Sequence, residues 1–221
     1  MGGAGASVTW IVEPVPDALL FDASEKLSRA SLEALFAMGF RGGIRTVGLH
    51  GPAPEDIDAR ELGDFMTVGL GLMLYQHPLN PGWMPSAALG KSHGEVASGL
   101  SQAAGYLPGA TLWNDLEGPS PMAGASQVVA YANTKFSTVV AKGYPQGEYI
   151  GFGLPLSGGD LFHRLKASIY WRSLSSVPDV AVRGYAMRQL VEASAGPALV
   201  DISIAEADRL GSRPMWMRNV G

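Results

Sequence analysis

Short apolar runs alternate with helix-like or loop segments along this 221-residue chain, and this alternation constrains its fold more than any other feature. It is the pattern of βα units that lie on a parallel sheet. Eight such runs occur: Ala18–Asp22, Gly43–Gly48, Gly71–Gln76, Ala110–Glu117, Glu148–Gly153, Ala167–Arg172, Arg183–Leu190 and Pro197–Ile202. Because eight parallel strands can close on themselves, the sequence predicts an α/β fold of the (β/α)8 TIM-like barrel type.

Helical periodicity is clear in the first spacers and weak in the later ones. The predicted helices of the first half are Glu25–Met38, Asp58–Val68, Ala87–Tyr106 and Met122–Lys142. After the fifth run, only Asp160–Lys166 and Ala205–Leu210 look helical. We therefore expect irregular or missing helices in the last units of a barrel domain at 18–212. Residues 1–17 would form an N-terminal extension and residues 213–221 a C-terminal tail.

Composition and motifs exclude several functions. Hydrophobic residues make up 47% of the chain and charged residues 16%, a balance typical of a packed globule with buried parallel sheet. The net charge is −4 and no run of Lys or Arg is present, so neither nucleic acid nor a membrane surface is an expected partner. The chain has no cysteine, no histidine spacing typical of zinc sites, and no P-loop, GxSxG or GxGxxG motif. We expect no metal and no cofactor.

The location of the protein is left open by the sequence. The apolar piece Val8–Val12 is too short for the core of a signal peptide, and the stretch Val68–Tyr75 is too short for a membrane helix. We therefore expect a soluble protein without a visible export signal. Extracellular action and a place in a virion both remain possible locations.

The fourth run ends in two acidic residues at alternating positions. Side chains alternate along a strand, so Asp115 and Glu117 should point to the same face, about 6.6–7 Å apart at Cα. Crowding between like charges and an apolar wall such as Trp113 would raise the pKa of one acid, leaving a neutral acid beside an ionised one. Glycosidic bond cleavage needs such an unequal pair. The competing interpretation is that one acid caps the next helix and the other binds water.

Further candidates lie near other strand ends, which gather at the mouth of a barrel. Asp22 ends the first run and Asp201 lies near the end of the last, so four acids, including Asp115 and Glu117, should converge there. Candidate substrate-binding residues are Arg45, Tyr75, Gln76, Trp113, Phe152, Trp171, Arg172 and Gln189. The alternatives are that Arg45 only neutralises Asp22 or Asp201, that the aromatic residues belong to the core, and that His77 is a solvated loop residue.

The order of these motifs resembles a known group of proteins. Phe21–Ser24 reads FDAS, the third run contains LMLYQ, the fourth ends in NDLEG, and Leu199–Asp208 reads LVDISIAEAD. This order resembles the family 25 lysozymes and, more closely, a related glycoside-hydrolase-like domain of unknown function from actinobacterial and phage proteins. The resemblance implies that Asp22, Asp115, Glu117 and Asp201 line a sugar cleft. It further implies that Glu117 is the proton donor and that Asp115 stabilises the cationic intermediate or orients an acetamido group.

Two functions of different classes follow. The first is a glycosidase that acts on an N-acetylated polysaccharide such as peptidoglycan, a muramidase if it is active. The second is a catalytically silent barrel that serves as a structural or carbohydrate-binding component, for example of a phage tail or capsid. The Gly/Pro-rich loops and low surface charge suit a packed assembly as well as an enzyme. An open mouth around Glu117 would favour the enzyme, and a plugged mouth would favour the silent barrel.

Overall fold

The computed structural model describes residues 8–76, 79–195 and 198–220. Across these ranges the strands are β1 (Val8–Val12), β2 (Ala18–Ala23), β3 (Gly42–Val47), β4 (Gly71–Gln76), β5 (Leu112–Leu116), β6 (Gln146–Ile150), β7 (Tyr170–Arg172), β8 (Met187–Ala195), β9 (Ala198–Ala205) and β10 (Trp216–Val220). The helices are α1 (Arg29–Ala37), α2 (Ala59–Val68), α3 (Ala87–Ala103), α4 (Ala125–Val140) and α5 (Gly158–Arg164). Among these five, none is long and apolar enough to span a bilayer.

Strands β2 to β9 close into an eight-stranded barrel, which confirms the predicted fold class. Each of β2 to β7 pairs in parallel with the next strand, through the ladders β2–β3, β3–β4, β4–β5, β5–β6, β6–β7 and β7–β8. The prediction of eight parallel strands is wrong for the last one, because β9 runs antiparallel to both β8 and β2. Only two residues separate β8 from β9, and so short a link can join antiparallel strands but not parallel ones.

The helices of the first half lie where the periodicity places them, and side chains cap the first turns of α1, α2 and α3. The Ser28 hydroxyl accepts from the Ser31 amide, Asp58 accepts from Glu61, and Ser86 accepts from Leu89. After β6, the described chain holds only the seven-residue α5, in agreement with the expected loss of helices.

The predicted helix Ala205–Leu210 is wrong. Ala205 still belongs to β9, and the chain then turns around the buried Asp208. The Asp208 carboxylate accepts from the amides of Leu210 and Ser212 and pairs with Arg183 at 2.6 Å. These side-chain contacts satisfy the backbone locally and replace the hydrogen bonds of a helix.

The sheet separates two apolar layers. Inward side chains of alternate strand positions, such as Leu20, Ile44 and Met73, fill the barrel. Outward side chains, such as Phe21 and Leu72, pack with residues of the helices. A side chain therefore reaches the mouth of the barrel only from an inward position near the mouth end of its strand.

The two chain ends form strands beside the barrel. β1 and β10 pair along their whole length, and Met217 of β10 is in register with Leu72 of β4. The Trp216 ring is buried against the barrel, so close to Gly71 that a Cβ at this glycine would lie 2.2 Å from the ring. The limits of the domain at residues 18 and 212 stay a proposal, and part of the proposed tail packs on the barrel.

Candidate active site

A cavity of about 200 Å³ opens at the mouth of the barrel, and all four predicted acids line it. Asp115 lies near the end of β5 and Glu117 just beyond it, both at inward positions, whereas Asn114 between Trp113 and Asp115 faces the helices. The lining residues are Asp22, Ser24, Tyr75, Asp115, Glu117, Tyr149, Trp171, Gln189 and Asp201. The cavity therefore combines four carboxyl groups with three aromatic rings.

Asp201 reaches the cavity by a route that differs from the predicted one. It lies in the middle of the antiparallel β9, in register with Asp22 of β2, rather than near the end of a parallel strand. Its carboxylate accepts a hydrogen bond of 2.6 Å from Gln189 Nε2. Gln189 Oε1 in turn accepts from the Tyr149 hydroxyl at 3.0 Å. This chain of contacts fixes the orientation of Asp201.

Glu117 is held tightly by its neighbours. Its side chain packs on the backbone of Gly151, where a Cβ would lie 2.2 Å from Glu117 Oε2. The Trp83 indole donates to the carbonyl oxygen of Glu117 at 2.8 Å. The next amide, that of Gly118, donates to the carbonyl oxygen of Phe152 at 2.8 Å, and Gly118 has a φ of +60°. These contacts place the Glu117 carboxyl at the mouth and leave it partly exposed.

Burial raises the pKa of every acid in the cavity. The pKa of Asp115 lies well above its usual range because the carboxyl is buried and because Glu117 is close, although the buried Lys135 opposes this shift. Burial also raises the pKa of Glu117. For Asp22 the causes are burial and then Asp201, and for Asp201 they are burial and then Glu192. Asp115 and Glu117 interact, so their protons belong to the pair rather than to either residue.

Arg45 does not face the cavity, and the prediction of a substrate contact is wrong. Ile44 points into the barrel, so Arg45 points outward to the helix layer, where it is completely buried. Its Nε lies 2.7 Å from Glu61 Oε1, and its Nη2 donates to the carbonyl oxygen of Glu55 at 2.8 Å. The alternative of an ion pair with Asp22 or Asp201 is also wrong, since the partner is Glu61.

Four other predicted binding residues are absent from the cavity lining. Gln76 is buried at an outward position and donates to the carbonyl oxygen of Gly48 at 3.0 Å. Trp113 points inward but is completely buried below the cavity, with its Nε1 3.4 Å from Met73 Sδ. Arg172 is exposed and lines a different cavity on the outside of the barrel. Phe152 is exposed, and its ring lies beside Gly118 rather than in the cavity lining.

Tyr75, Trp171 and Gln189 do line the cavity, whereas His77 lies outside the described residues. Two lining residues, Ser24 and Tyr149, were missed. Ser24 follows Asp22 by two positions, and Tyr149 is in register with Asp115 on the neighbouring strand. Strict two-residue alternation along β2 and β6 was the signal that could have identified both residues.

No metal centre is evident in the parts of the chain that the structure describes. Within them, no group of three or more His, Asp or Glu side chains is placed to hold a metal ion. The polar groups that line the cavity are carboxyl groups, phenols, a hydroxyl, an indole and an amide.

Comparisons with known proteins give similarity in structure but not in sequence. No family model and no curated protein matches the sequence. The Tat-secreted protein Rv2525c of Mycobacterium tuberculosis has a similar structure, with a TM-score of 0.66 at 19% identity over 89% of this chain and 98% of that one. The catalytic domain of endolysin ply40 from the Listeria monocytogenes bacteriophage P40 gives a TM-score of 0.62 at 16% identity over 86% and 93% of the two chains.

A muramidase from Acremonium alcalophilum also matches, with a TM-score of 0.58 at 12% identity over 86% of this chain and 94% of that one. The fold is the eight-stranded barrel that these proteins share. This agrees with the fold implied by the resemblance of the sequence motifs. At such low identity the shared barrel establishes the architecture alone, and function has to be argued from the cavity itself.

Proposed function

We propose that this protein is a glycoside hydrolase that cleaves an N-acetylated polysaccharide such as peptidoglycan. The observation that carries the proposal is the adjacent pair Asp115 and Glu117 in an open cavity, where burial raises the pKa of both acids. Hydrolysis of a glycosidic bond requires one carboxylic acid that still holds its proton near neutral pH. It also requires a second, ionised carboxyl group that stabilises the positive charge on the sugar ring.

Glu117 is the better candidate for the proton donor. It lies just beyond the end of β5, at the mouth, where a glycosidic oxygen can approach it. Asp115 lies one inward position further down the strand and has one carboxyl oxygen without a hydrogen-bond partner. In this mechanism Glu117 protonates the leaving oxygen as the bond breaks. In the reactive form the pair holds one proton, on Glu117, so Asp115 is already ionised when positive charge develops on the sugar ring. Asp115 either stabilises this charge or orients the acetamido group of the same sugar.

The remaining cavity residues suit a carbohydrate. Trp171 packs edge-to-face with Tyr75 and Tyr149, with ring centroids 6.5 Å and 4.7 Å away, so three aromatic side chains form one wall. Such a wall offers an apolar surface to a sugar ring. Gln189 and the carboxyl groups of Asp22 and Asp201 offer hydrogen bonds to hydroxyl groups.

Two of the structural neighbours suggest the first substrate to test. One is a muramidase and another is the catalytic domain of a phage endolysin. Peptidoglycan is therefore the first choice, followed by chitin-like oligomers. The decisive assay measures the reducing ends released by the wild type and by Glu117→Gln. If neither protein releases product while both bind polysaccharide or an assembly partner, the silent barrel replaces this proposal.

A further inference from the structure

A second cavity, of about 320 Å³, continues the candidate active site along the rim of the barrel. The two cavities share Asp22, Ser24 and Asp201. From there the second cavity runs between the segment 25–27, which leads to α1, and the hairpin of β8 and β9. We call it the rim groove. A polymer unit bound in the first cavity would have its neighbour in the rim groove.

Three carboxyl groups form a row at one end of the rim groove. Asp22 of β2 is in register with Asp201 of β9, and Asp201 is in register with Glu192 of β8. Residues directly opposite each other on antiparallel strands lie close together, and like charges there destabilise the sheet. The raised pKa of Asp201, caused by burial and then by Glu192, reflects this repulsion.

The residues that line the rim groove do not neutralise the negative charge of these three carboxyl groups. Glu25 adds a fourth acid to the lining, and the cation in the lining, Lys26, has its ammonium 2.7 Å from Asp58 outside the groove.

A separate observation concerns Asp22, a residue that is 9% exposed. Its Oδ2 has no hydrogen-bond partner, although the residue lines the groove. A buried carboxyl oxygen without a partner is costly unless a ligand supplies a donor.

The ligand that fits these acids is an organic cation. The carboxyl groups are not placed to hold a metal ion, as far as the described residues show. A primary ammonium has three donors and a full positive charge, and it can face several carboxylates from a greater distance than a metal ion can.

We propose that the rim groove binds a glycan unit that carries a free primary amine, next to the unit held in the cavity. This inference rests on the proposed function and refines its substrate, which becomes a partly deacetylated polysaccharide. An N-acetylated unit occupies the cavity, and the neighbouring glucosamine unit places its ammonium near Asp22 and Asp201, with Glu192 and Glu25 beside them. The groove then discriminates between acetylated and deacetylated neighbours by charge.

Binding experiments test the proposal without relying on turnover. Calorimetric titrations at low salt compare a tetramer of alternating N-acetylglucosamine and glucosamine units with the N-acetylglucosamine tetramer, using Glu117→Gln as the parent so that no hydrolysis intervenes. We expect the parent to bind the partly deacetylated tetramer more tightly. Adding Glu192→Gln or Glu25→Gln should weaken this binding about two- to fivefold each, as for partly exposed ion pairs, and should leave the acetylated tetramer unaffected. The matched control is Glu95→Gln, which neutralises an exposed acid on α3.

The possible outcomes separate the two proposals. Equal affinity for the two tetramers, or a preference that survives both substitutions, overturns the rim-groove proposal even if the protein proves to be a hydrolase. Loss of the preference in both variants supports it even if no hydrolysis is ever observed. Stronger competition by lysine amide than by free glucosamine would assign the ammonium to a peptide and overturn the assignment to a sugar. Thermal unfolding of each variant verifies that the fold is retained.

Discussion

Asp22 and Asp201 lie directly opposite each other on the antiparallel strands β2 and β9. This pairing closes the barrel and at the same time brings two acids to its mouth, opposite the motif that contains Asp115 and Glu117. Burial and mutual repulsion raise the pKa of Asp22, and burial raises the pKa of Asp115 and Glu117. Ionisation of these acids therefore lowers the stability of the folded protein, which is typical of a site for a ligand or a reaction.

The first prediction concerns the stability of Glu117→Gln. Burial raises the pKa of Glu117 in the folded protein above its unfolded value. When the pH rises past the unfolded value, the unfolded chain ionises first, so the wild type loses stability until the folded pKa is passed. Glutamine cannot ionise and avoids this loss.

We therefore expect Glu117→Gln to unfold at a higher temperature than the wild type at pH 7.5. The expected increase is about 2–4 °C for each kcal/mol that the free energy of unfolding gains when the buried charge is removed. The difference should shrink towards zero at pH values below the unfolded pKa. Thermal unfolding at several pH values measures it, with Glu95→Gln as the control. A variant that is less stable than the wild type at pH 7.5 would contradict the assignment of a raised pKa.

The second prediction separates the structural role of Arg45 from a role in binding. Arg45 and Glu61 form a completely buried ion pair at 2.7 Å, and Glu61 also accepts from the amide of Leu27 at 3.0 Å. Removing one partner leaves the other charge buried, so Glu61→Ala should cost about 3–5 kcal/mol. Lys26→Met, which removes a surface pair, should cost less than about 1 kcal/mol. Urea unfolding measures both, and a small cost for Glu61→Ala would show that the pair is not needed.

The third prediction uses the close contact between Gly151 and Glu117. A Cβ at position 151 would lie 2.2 Å from Glu117 Oε2, so Gly151→Ala must displace the carboxyl. Displacement of a reacting group by about 1 Å can cost about 10²-fold in rate. We expect a loss of kcat of this size, with KM changed much less. Gly159→Ala is the control, because the nearest atom to its Cβ would be 3.6 Å away. Unchanged kcat in Gly151→Ala would contradict the role of Glu117.

The fourth prediction concerns the C-terminal strand. Trp216 is buried and packs against Gly42 and Gly71 of the barrel. Loss of a large buried aromatic side chain costs about 3–5 kcal/mol, so Trp216→Ala should lower the free energy of unfolding by that amount. Met215→Ala, at a partly buried neighbour, is the comparison. If Trp216→Ala were as stable as the wild type, residues 213–221 would be a dispensable tail.

The alternation of apolar runs was enough to predict the barrel, and the predicted fourth strand of the chain already contained Asp115 and Glu117. The direction of β9 could not be predicted, because Arg183–Leu190 gave no sign that the strand continues to Ala195 and turns back at once. The inward or outward direction of a side chain depends on strand register within the sheet. This is why Arg45 and Gln76 were misplaced although both lie on predicted strands.

The binding residues that the sequence did not predict also depend on the register of neighbouring strands. Tyr149 was predicted to lie on a strand but was not assigned to the mouth, because its importance comes from its register with Asp115 and its hydrogen bond to Gln189. The rim groove was beyond prediction as well. It depends on Glu192 lying opposite Asp201, and the sequence did not reveal the antiparallel pairing of β8 with β9 that brings them together.

The most direct test of the central claim is the release of reducing ends from purified peptidoglycan as a function of pH. If Glu117 is the proton donor, the wild type will release product, and its rate will fall as the pH rises above the raised pKa of Glu117, because the acid loses its proton. Glu117→Gln will lower kcat by about 10²–10⁴-fold and leave the affinity for the polymer nearly unchanged. Equal product release by the wild type and Glu117→Gln, or no release by either from any N-acetylated polysaccharide, would contradict the claim.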